Sequence, residues 1–451
     1  MKGQDRTTLE VYASEFKSLE KNTFSPQPDF IRELRQTSMN RFTELGFPST
    51  RLEEWKNTPV TSIIKTPYHR SVAQPKKFNP RVLTPYIAKE TNRVVLLNGQ
   101  FSHALSSLDK APAAVDIKSL SEAIHLFPEK LTPILGQIAD YHNHAFVALN
   151  TAFMDDGVFI RVPENLVMET PIHLVYIVTP LEKNTLFYPR NLICAGPNSQ
   201  ATVIEHYVSL SKELSGAEQD YFTNSVTEFI VEENASIHHI KLQQESMESK
   251  HISTTQILQY AHSSVSTVVI TLGGKLTRND VNVRLNGEGC HCHMNGLVLA
   301  TGQQHVDNHT FINHAEPNCT SRELYKGIHA GRSHGVFNGR IVVRRDAQKT
   351  ETKQTNKNLL LSKNAIVNSN PQLEINADNV KCTHGSTTGQ LDEESIFYLR
   401  SRGIDPKTAH FLMINGFASE IIEEIQVEPI RDYLFHLLSD WLSDILNEKT
   451  D

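Results

Sequence analysis

Residues 373–402 read LEINADNVKCTHGSTTGQLDEESIFYLRSR, and this stretch guides the interpretation of the whole chain. Its first part, residues 373–377, alternates apolar and polar side chains as a half-buried strand does. Residues 392–400 begin acidic and end basic, which suits a helix because its N-terminal end carries partial positive charge. The stretch is therefore predicted to change from strand to helix.

Cys382 and His384 lie two positions apart in the middle of this stretch. In extended backbone, side chains i and i+2 share a face, so the thiol and the imidazole are expected to point the same way. Both groups bind metals, but a closed zinc site needs four ligands and this pair supplies two. The alternative is a buried cysteine beside a hydrogen-bonded histidine, because free cysteines are often ordinary core residues.

Composition and charge exclude several classes of protein. At 451 residues the chain exceeds what one compact core usually holds, which predicts two or three structural parts. With 44 Lys and Arg against 51 Asp and Glu, it lacks the basic excess of a nucleic-acid-binding protein. Five cysteines, a polar N-terminus and the lack of an apolar run of about 18 residues predict a cytoplasmic protein that is neither secreted nor membrane-spanning.

Residues 1–150 are predicted to form an N-terminal helical and mixed domain. Leu9, Tyr12, Phe16 and Leu19 recur at helical spacing, and a second apolar run ends at Gly46. A short strand at residues 94–97 and helical pieces around residues 120–127 and 131–138 are expected to follow.

Residues 151–390 are predicted to form a right-handed parallel β-helix, which makes the protein mainly β. Short β-prone runs follow one another with no long helix between them, as in a sandwich, a barrel or a solenoid. The length exceeds that of an ordinary sandwich, and asparagines recur near strand ends, where stacked coils can ladder their amides. The hexapeptide rule of left-handed helices is absent, and no strict repeat period is visible. These asparagines are Asn279, Asn286, Asn295, Asn308, Asn313, Asn338, Asn368, Asn370 and Asn376.

Residues 391–451 are predicted to be a C-terminal helical domain. Asp405 suits an N-cap, and Pro406 suits the first helical position. The last helix is expected to present an apolar stripe that either caps the end of the solenoid or docks a partner. The stripe comprises Ile430, Leu434, Leu437, Trp441 and Ile445.

Other cysteine, histidine and glycine clusters have ordinary structural interpretations. In the sequence Cys290-His291-Cys292-His293, a strand would send cysteines and histidines to opposite faces, so the four cannot close on one ion. Cys319 is predicted to lie in a turn, and its reactivity would need a neighbouring base. The Gly273-Gly274-Lys275 segment lacks the glycine spacing of a phosphate-binding loop and is predicted to be a turn. A histidine cluster on neighbouring coils is a weaker metal-site alternative, comprising His305, His309, His314, His329 and His334.

A dense series of motifs occupies the last third of the chain. They are YKGI (325–328), GVFNGRI (335–341), AQKT (347–350), QTNKNLLLS (354–362), PQLEI (371–375), VKCTHG (380–385), GQLDE (389–393) and FYLRSRGI (397–404). Together they resemble the SufB/SufD family of iron–sulfur cluster assembly scaffolds. The segment LEEWK at residues 52–56 looks like the SufD side of that family rather than the SufB side.

The resemblance implies a function as well as a fold. It implies a non-catalytic scaffold that pairs with a SufB-like subunit through the β-helix and binds a SufC-like ATPase through its C-terminal helices. It further implies that a nascent iron–sulfur cluster is built at the interface, with His384 and the accompanying Cys382 as metal and cluster ligands on this chain. Imidazole and thiolate both ligate iron, and a shared cluster needs only part of its ligands from each chain.

Several points stay open at this stage. A purely structural subunit without cluster contact, or a carbohydrate-active β-helix enzyme, are the alternatives in function. A homodimer of the isolated chain and a flavin in the complex are both compatible with the resemblance. From the resemblance we also expect that deleting the chain after Leu391 abolishes ATPase binding and leaves a soluble β-helix.

Overall fold

A computed structural model describes residues 2–22, 27–70, 79–180, 182 and 184–448, and the statements below concern these residues. Its helices are α1 Lys2–Asn22, α2 Asp29–Leu45, α3 Thr61–Lys65, α4 Leu120–Leu126, α5 Pro128–Leu131, α6 Ala145–Phe153, α7 Ser211–Ser215, α8 Glu393–Ser401, α9 Pro406–Ile422 and α10 Glu428–Glu448, with 3-10 turns at Glu53–Trp55 and Pro80–Tyr86.

The strands begin near the N-terminus and become regular after α6. They are β1 His69–Arg70, β2 Asn92–Leu97, β3 Gln100–Phe101, β4 Asp116–Ser119, β5 Gly157–Val162, β6 Ile172–Val178, β7 Thr185–Phe187, β8 Arg190–Ala195, β9 Gln200–Ser209, β10 Tyr221–Val231, β11 Ser236–Gln244, β12 Lys250–Gln259, β13 Ser264–Thr271, β14 Leu276–Leu285, β15 His291–Ala300, β16 His305–His314, β17 Thr320–His329, β18 His334–Val343, β19 Glu351–Leu360, β20 Ile366–Ile375 and β21 Lys381–Gly389.

Successive long strands alternate between two parallel sheets. β14 pairs with β12 and β16, while β15 pairs with β13 and β17. One sheet runs in the order β20-β18-β16-β14-β12-β10-β8-β5-β4, and the other in the order β21-β19-β17-β15-β13-β11-β9-β6-β2-β3. Each coil of the chain thus adds one strand to each sheet, and the predicted mainly β fold with parallel coils is confirmed.

One end of the solenoid is completed by the N-terminal region. β4 pairs antiparallel with β5 at the edge of the first sheet, and β2 adds to β6 in the second sheet, followed by the antiparallel β3. These short antiparallel strands finish both sheets. The opposite end is formed by β20, which ends inside residues 373–402, and by β21, which lies within them.

The N-terminal helices pack around an aromatic core. Tyr12 and Phe16 of α1, which the helical spacing predicts to be inward, are both buried against Phe153 of α6 in edge-to-face contacts. The strand predicted at residues 94–97 is present as part of β2. The helix predicted over residues 131–138 is wrong, because α5 ends at Leu131 and turns follow.

The LEEWK segment of the N-terminal region contacts strands of the solenoid. The Arg278 guanidinium of β14 lies 3.7 Å from the ring centroid of Trp55 and donates to the Glu54 carbonyl at 2.6 Å. Arg278 also donates to Asp307 of β16 at 3.0 Å, and the Thr58 hydroxyl donates to the same carboxylate at 2.5 Å. The segment therefore has a structural role that its sequence does not reveal.

The C-terminal helices lie along the flank of the solenoid. Ile430, Leu434 and Leu438 of α10 are buried in one cluster with the outer side chains of β11, β13, β15, β17 and β19. The stripe folds back on the solenoid, but it covers the face of the second sheet and leaves the end free. Its inward positions are Leu438 and Leu442, with Leu437 and Trp441 only partly buried, so the predicted helical phase is shifted by one residue.

Candidate functional site

The end of the solenoid formed by β20 and β21 is uncovered. Each is the terminal strand of its sheet, and no strand pairs with its outer edge among the described residues. Ile366 and Ile375 of β20 are 57% and 44% exposed. Since strand edges carry free N–H and C=O groups, the edges of β20 and β21 can form backbone hydrogen bonds with a strand of another molecule.

Cys382 and His384 lie in β21 at this end. Their register partners on β19 are Thr352 and Gln354, which are both buried and point into the coil. In-register parallel strands place partner side chains on the same face, so the prediction that the thiol and imidazole share a face is confirmed. Cys382 packs partly against the interior apolar cluster, and His384 is exposed. Partial burial raises the pKa of the Cys382 thiol.

The interior becomes polar towards the open end. In the column that ends at His384, Met294 of β15 is followed by Glu323 of β17 and Gln354 of β19. Glu323 accepts from Thr310 at 2.5 Å and from the Gln354 amide nitrogen at 2.8 Å. Burial raises the pKa of Glu323 to about 7, because the interior disfavours the charged carboxylate. Neither Glu323 nor Gln354 was among the residues predicted for the site.

A second set of polar side chains extends this layer along β19 and β21. Asn358 donates to Asn356 at 2.6 Å, and Ser369 of β20 donates to the same amide oxygen at 2.7 Å. Ser386 of β21 donates to Ser369 at 2.7 Å. Because hydrogen bonds link β19, β20 and β21, the last coil is held rigidly although one side of it is open.

The other clusters seen in the sequence do not assemble into metal sites. Cys290 and Cys292 are fully buried while His291 and His293 are exposed, as strand geometry predicts. Cys319 precedes β17 in a turn and is fully buried. Within the ranges the structure describes, three or more His, Cys, Asp or Glu side chains nowhere converge on a metal position.

The histidines of neighbouring coils serve different parts of the structure. His305 and His334 make an edge-to-face contact with ring centroids 4.6 Å apart, and His309 lies 3.1 Å from Asp307. His314 and His329 are buried inside the coil, where burial lowers the pKa of each to about 4. The two glycines of the segment at residues 273–274 lie in the turn between β13 and β14, as predicted.

At the open end, Cys382 and His384 can supply part of the ligand set of a metal ion. An imidazole and a thiol face the same way from a rigid edge, and both are iron ligands. Two ligands do not complete a closed metal site, so an ion held here would need further ligands from another molecule.

Family comparisons identify the family of this chain. A family model described as SUF system FeS cluster assembly, SufBD core domain, matches residues 177–417, and the model of the SufBD N-terminal region matches residues 6–174. The chain belongs to the SufBD family. Its core match covers the solenoid from β6 to α9 and includes both Cys382 and His384.

Three curated relatives are similar to this chain over almost their whole length. A SufBD family protein of Synechocystis is 33% identical over 414 residues, covering 90% of each chain. The SufD protein of Escherichia coli is 31% identical over 401 residues, covering 88% of this chain and 89% of its own. The chloroplastic protein ABCI7 of Arabidopsis thaliana is 30% identical over 434 residues, covering 95% and 89%. The chain is therefore SufD-like within its family.

The family motifs now have physical explanations. A Cβ at Gly339 would lie 2.3 Å from the Gln354 amide nitrogen on the opposite wall and 2.7 Å from the Phe337 ring, so a larger residue would force these side chains to shift. A Cβ at Gly327 would likewise lie 2.4 Å from the ring of the buried His329. The motifs thus build the inside of the last coils, immediately beneath the candidate site. Among the helices that the structure describes, none is long and apolar enough to cross a membrane.

Proposed function

We propose that this chain is a SufD-like scaffold subunit that contributes His384, with Cys382 beside it, to a nascent iron–sulfur cluster at the interface with a SufB-like partner. One observation carries the proposal: His384 is exposed at the uncovered end of the solenoid, while its register partner Gln354 is fully buried. The chain performs no catalytic step of its own in this proposal. Its location is the cytoplasm, in keeping with five cysteines that are all free thiols.

The SufB-like partner meets the chain through its strand edges. The open edges of β20 and β21 offer backbone hydrogen bonds, and the exposed Ile366 and Ile375 offer apolar area beside them. Strand addition of this kind draws its affinity from main-chain bonds and its specificity from alternate side chains. Cys382 and His384 are such alternate side chains, so pairing itself would bring partner ligands to them.

A reconstitution experiment tests this function. The chain alone, the chain with a SufB-like subunit, and the chain with SufB-like and SufC-like subunits are each supplied with ferrous iron and sulfide. We expect iron and sulfide to be retained only where the SufB-like subunit is present, because this chain supplies part of the ligands. Full retention by the chain alone, or an intact complex that retains none, would each refute the proposal.

The SufC-like ATPase is proposed to dock on α8 and α9. Phe397 and Tyr398 of α8 are 72% and 58% exposed, and Leu412 of the next helix, α9, is 44% exposed. Exposed aromatic side chains in such a patch are typical anchors of protein interfaces.

Helix α9 is also bonded to the solenoid. Lys326 of β17 donates to the Phe417 carbonyl at 2.8 Å and forms an ion pair with Glu420, and both of these residues lie on α9. A displacement of α9 would therefore be transmitted to β17, which lies in the coils beneath the proposed cluster site.

Substituting Phe397 and Tyr398 together by alanine is expected to weaken ATPase binding at least thirtyfold. The expectation follows from a loss of about 2 kcal/mol or more for aromatic anchors. Isothermal titration calorimetry with the SufC-like protein measures it. The matched control is Leu214→Ala, which removes an apolar side chain that is 45% exposed on the distant α7. Equal affinities of the double variant and the control would place the docking surface elsewhere.

A further inference from the structure

The side chain of Gln354 is fixed in one orientation beneath His384. Its amide nitrogen donates to the Glu323 carboxyl at 2.8 Å, and the other oxygen of that carboxyl lies 2.5 Å from the Thr310 hydroxyl. The hydroxyl donates to that oxygen, and the ionised carboxyl offers Gln354 an oxygen that can only accept. On the opposite wall, Gly339 leaves just enough room for the amide. While Glu323 is ionised, the amide nitrogen of Gln354 is therefore held towards Glu323 and its carbonyl oxygen points away.

This orientation leaves the carbonyl oxygen Oε1 of Gln354 without a role in the fold. Gln354 is 0% exposed, and Oε1 has no hydrogen-bond partner within the part of the chain that the structure describes. Buried polar atoms are nearly always paired, so an unpaired one indicates a missing group. The next position along the column is His384, the register partner of Gln354 on the adjacent strand.

The spacing allows the two side chains to meet. Adjacent strands lie about 4.8 Å apart, which brings an imidazole that turns inward within hydrogen-bonding reach of the amide oxygen below it. Pro371 of β20 lies across from His384, because it follows Gly339 in the facing column. Pro371 has no backbone N–H, so it cannot donate a hydrogen bond to the Oε1 atom of Gln354. The imidazole of His384 in the same layer does carry an N–H that can donate to Oε1.

We propose that Gln354 is a positioning residue that accepts a hydrogen bond from one ring N–H of His384 when a partner closes the end of the solenoid, and so leaves the other ring nitrogen free to bind iron. This inference rests on the proposed function. An amide oxygen can only accept, which fixes the tautomer of the neutral imidazole. Metal-bound histidines usually donate their second nitrogen in this way, and loss of the acceptor typically weakens metal binding ten- to a hundredfold.

The test replaces the acceptor and keeps the shape. Gln354→Leu in the complex with the SufB-like partner is expected to reduce retention of ferrous iron, measured against a competing chelator, at least tenfold. The ring-nitrogen shifts of His384, with only this chain labelled with 15N-histidine, are expected to change from one tautomer to a mixture. The exchanged pair Glu323→Gln with Gln354→Glu restores an acceptor in the same place, and it should restore both readouts.

A matched control separates positioning from stability. Gln304 is also a buried glutamine, and it donates to the Leu272 and Gly274 carbonyls at a turn. Gln304→Leu should lower the melting temperature as much as Gln354→Leu does, and it should leave the His384 tautomer and iron retention unchanged. If Gln354→Leu changes neither readout while His384→Ala abolishes iron retention, this inference fails and the proposed function stands. If His384→Ala retains iron, the proposed function itself fails.

Discussion

Replacing His384 by alanine is expected to abolish cluster formation in the reconstituted complex and to leave the chain folded. The side chain is exposed at the end of the solenoid, and substitutions at such positions typically change stability by only about 0.5 kcal/mol. A cluster that loses one of its few ligands at an interface, by contrast, is not retained. Iron and sulfide content of the purified complex, measured beside thermal melting of the chain, gives both parts of the result.

Two variants on the same strand make that experiment specific. Thr383→Ala alters the neighbouring exposed position, whose side chain points to the opposite face of β21, and it should retain normal cluster content. Cys382→Ser is expected to be milder than His384→Ala, because Cys382 packs partly against the interior apolar cluster whereas His384 is exposed. A destabilised His384→Ala chain with normal cluster content would remove His384 from the site.

Replacing Leu438 by alanine is expected to destabilise the chain by about 2–5 kcal/mol. Leu438 is 0% exposed, and it packs from α10 onto the apolar outer face of the second sheet. The truncation removes apolar contact and leaves a cavity between helix and sheet. Urea unfolding followed by circular dichroism measures the change. The same packing argues against the expectation that deletion after Leu391 spares a soluble β-helix, because that deletion would expose the apolar outer face of the second sheet.

Leu412→Ala provides the comparison for stability. Leu412 belongs to the same C-terminal domain and is 44% exposed, so its removal should cost about 0.5 kcal/mol or less. If Leu438→Ala were no more destabilising than Leu412→Ala, the C-terminal helices would be independent of the solenoid. A route from the ATPase to the cluster site through α9 would then lose its support.

Local features of the fold were predictable from the sequence. Asp392 caps α8 by accepting from the backbone of Glu394 and Ser395, and Asp405 caps α9 in the same manner before Pro406. Such caps are decided by neighbouring residues, so the strand-to-helix change could be located within a few positions. The pairing of each strand with the second strand after it could not be predicted in this way, because the pairing depends on contacts between residues far apart in the chain.

The polar interior explains why part of the site escaped prediction. β19 reads ETKQTNKNLL, so its inward residues Thr352, Gln354 and Asn356 are as polar as the outward ones. The alternation of polar and apolar side chains therefore cannot show which face of this strand points into the coil. A usable signal exists in the register: Glu323, Gln354 and His384 follow one another at equivalent positions of successive coils. Coils of unequal length hide that correspondence until the strands are paired.

The phase of α10 was ambiguous for a related reason. Leu434 and Phe435, Leu437 and Leu438, and Trp441 and Leu442 form adjacent apolar pairs, so two overlapping stripes fit the sequence equally well. Only the shape of the sheet beneath the helix selects between them. Leu438 and Leu442 face it, while Leu437 and Trp441 stay at its margin.

The two ends of the solenoid differ, and the difference limits how many copies strand-edge pairing can join. Antiparallel strands of two and four residues, β3 and β4, stop the sheets at one end, while the edges of β20 and β21 stay open at the other. A coil that was open at both ends could add copies without limit and grow into a fibre, as head-to-tail contacts that do not close generally do. If two solenoids pair through their open ends, that pairing uses both open edges, so no open edge is left for a third copy.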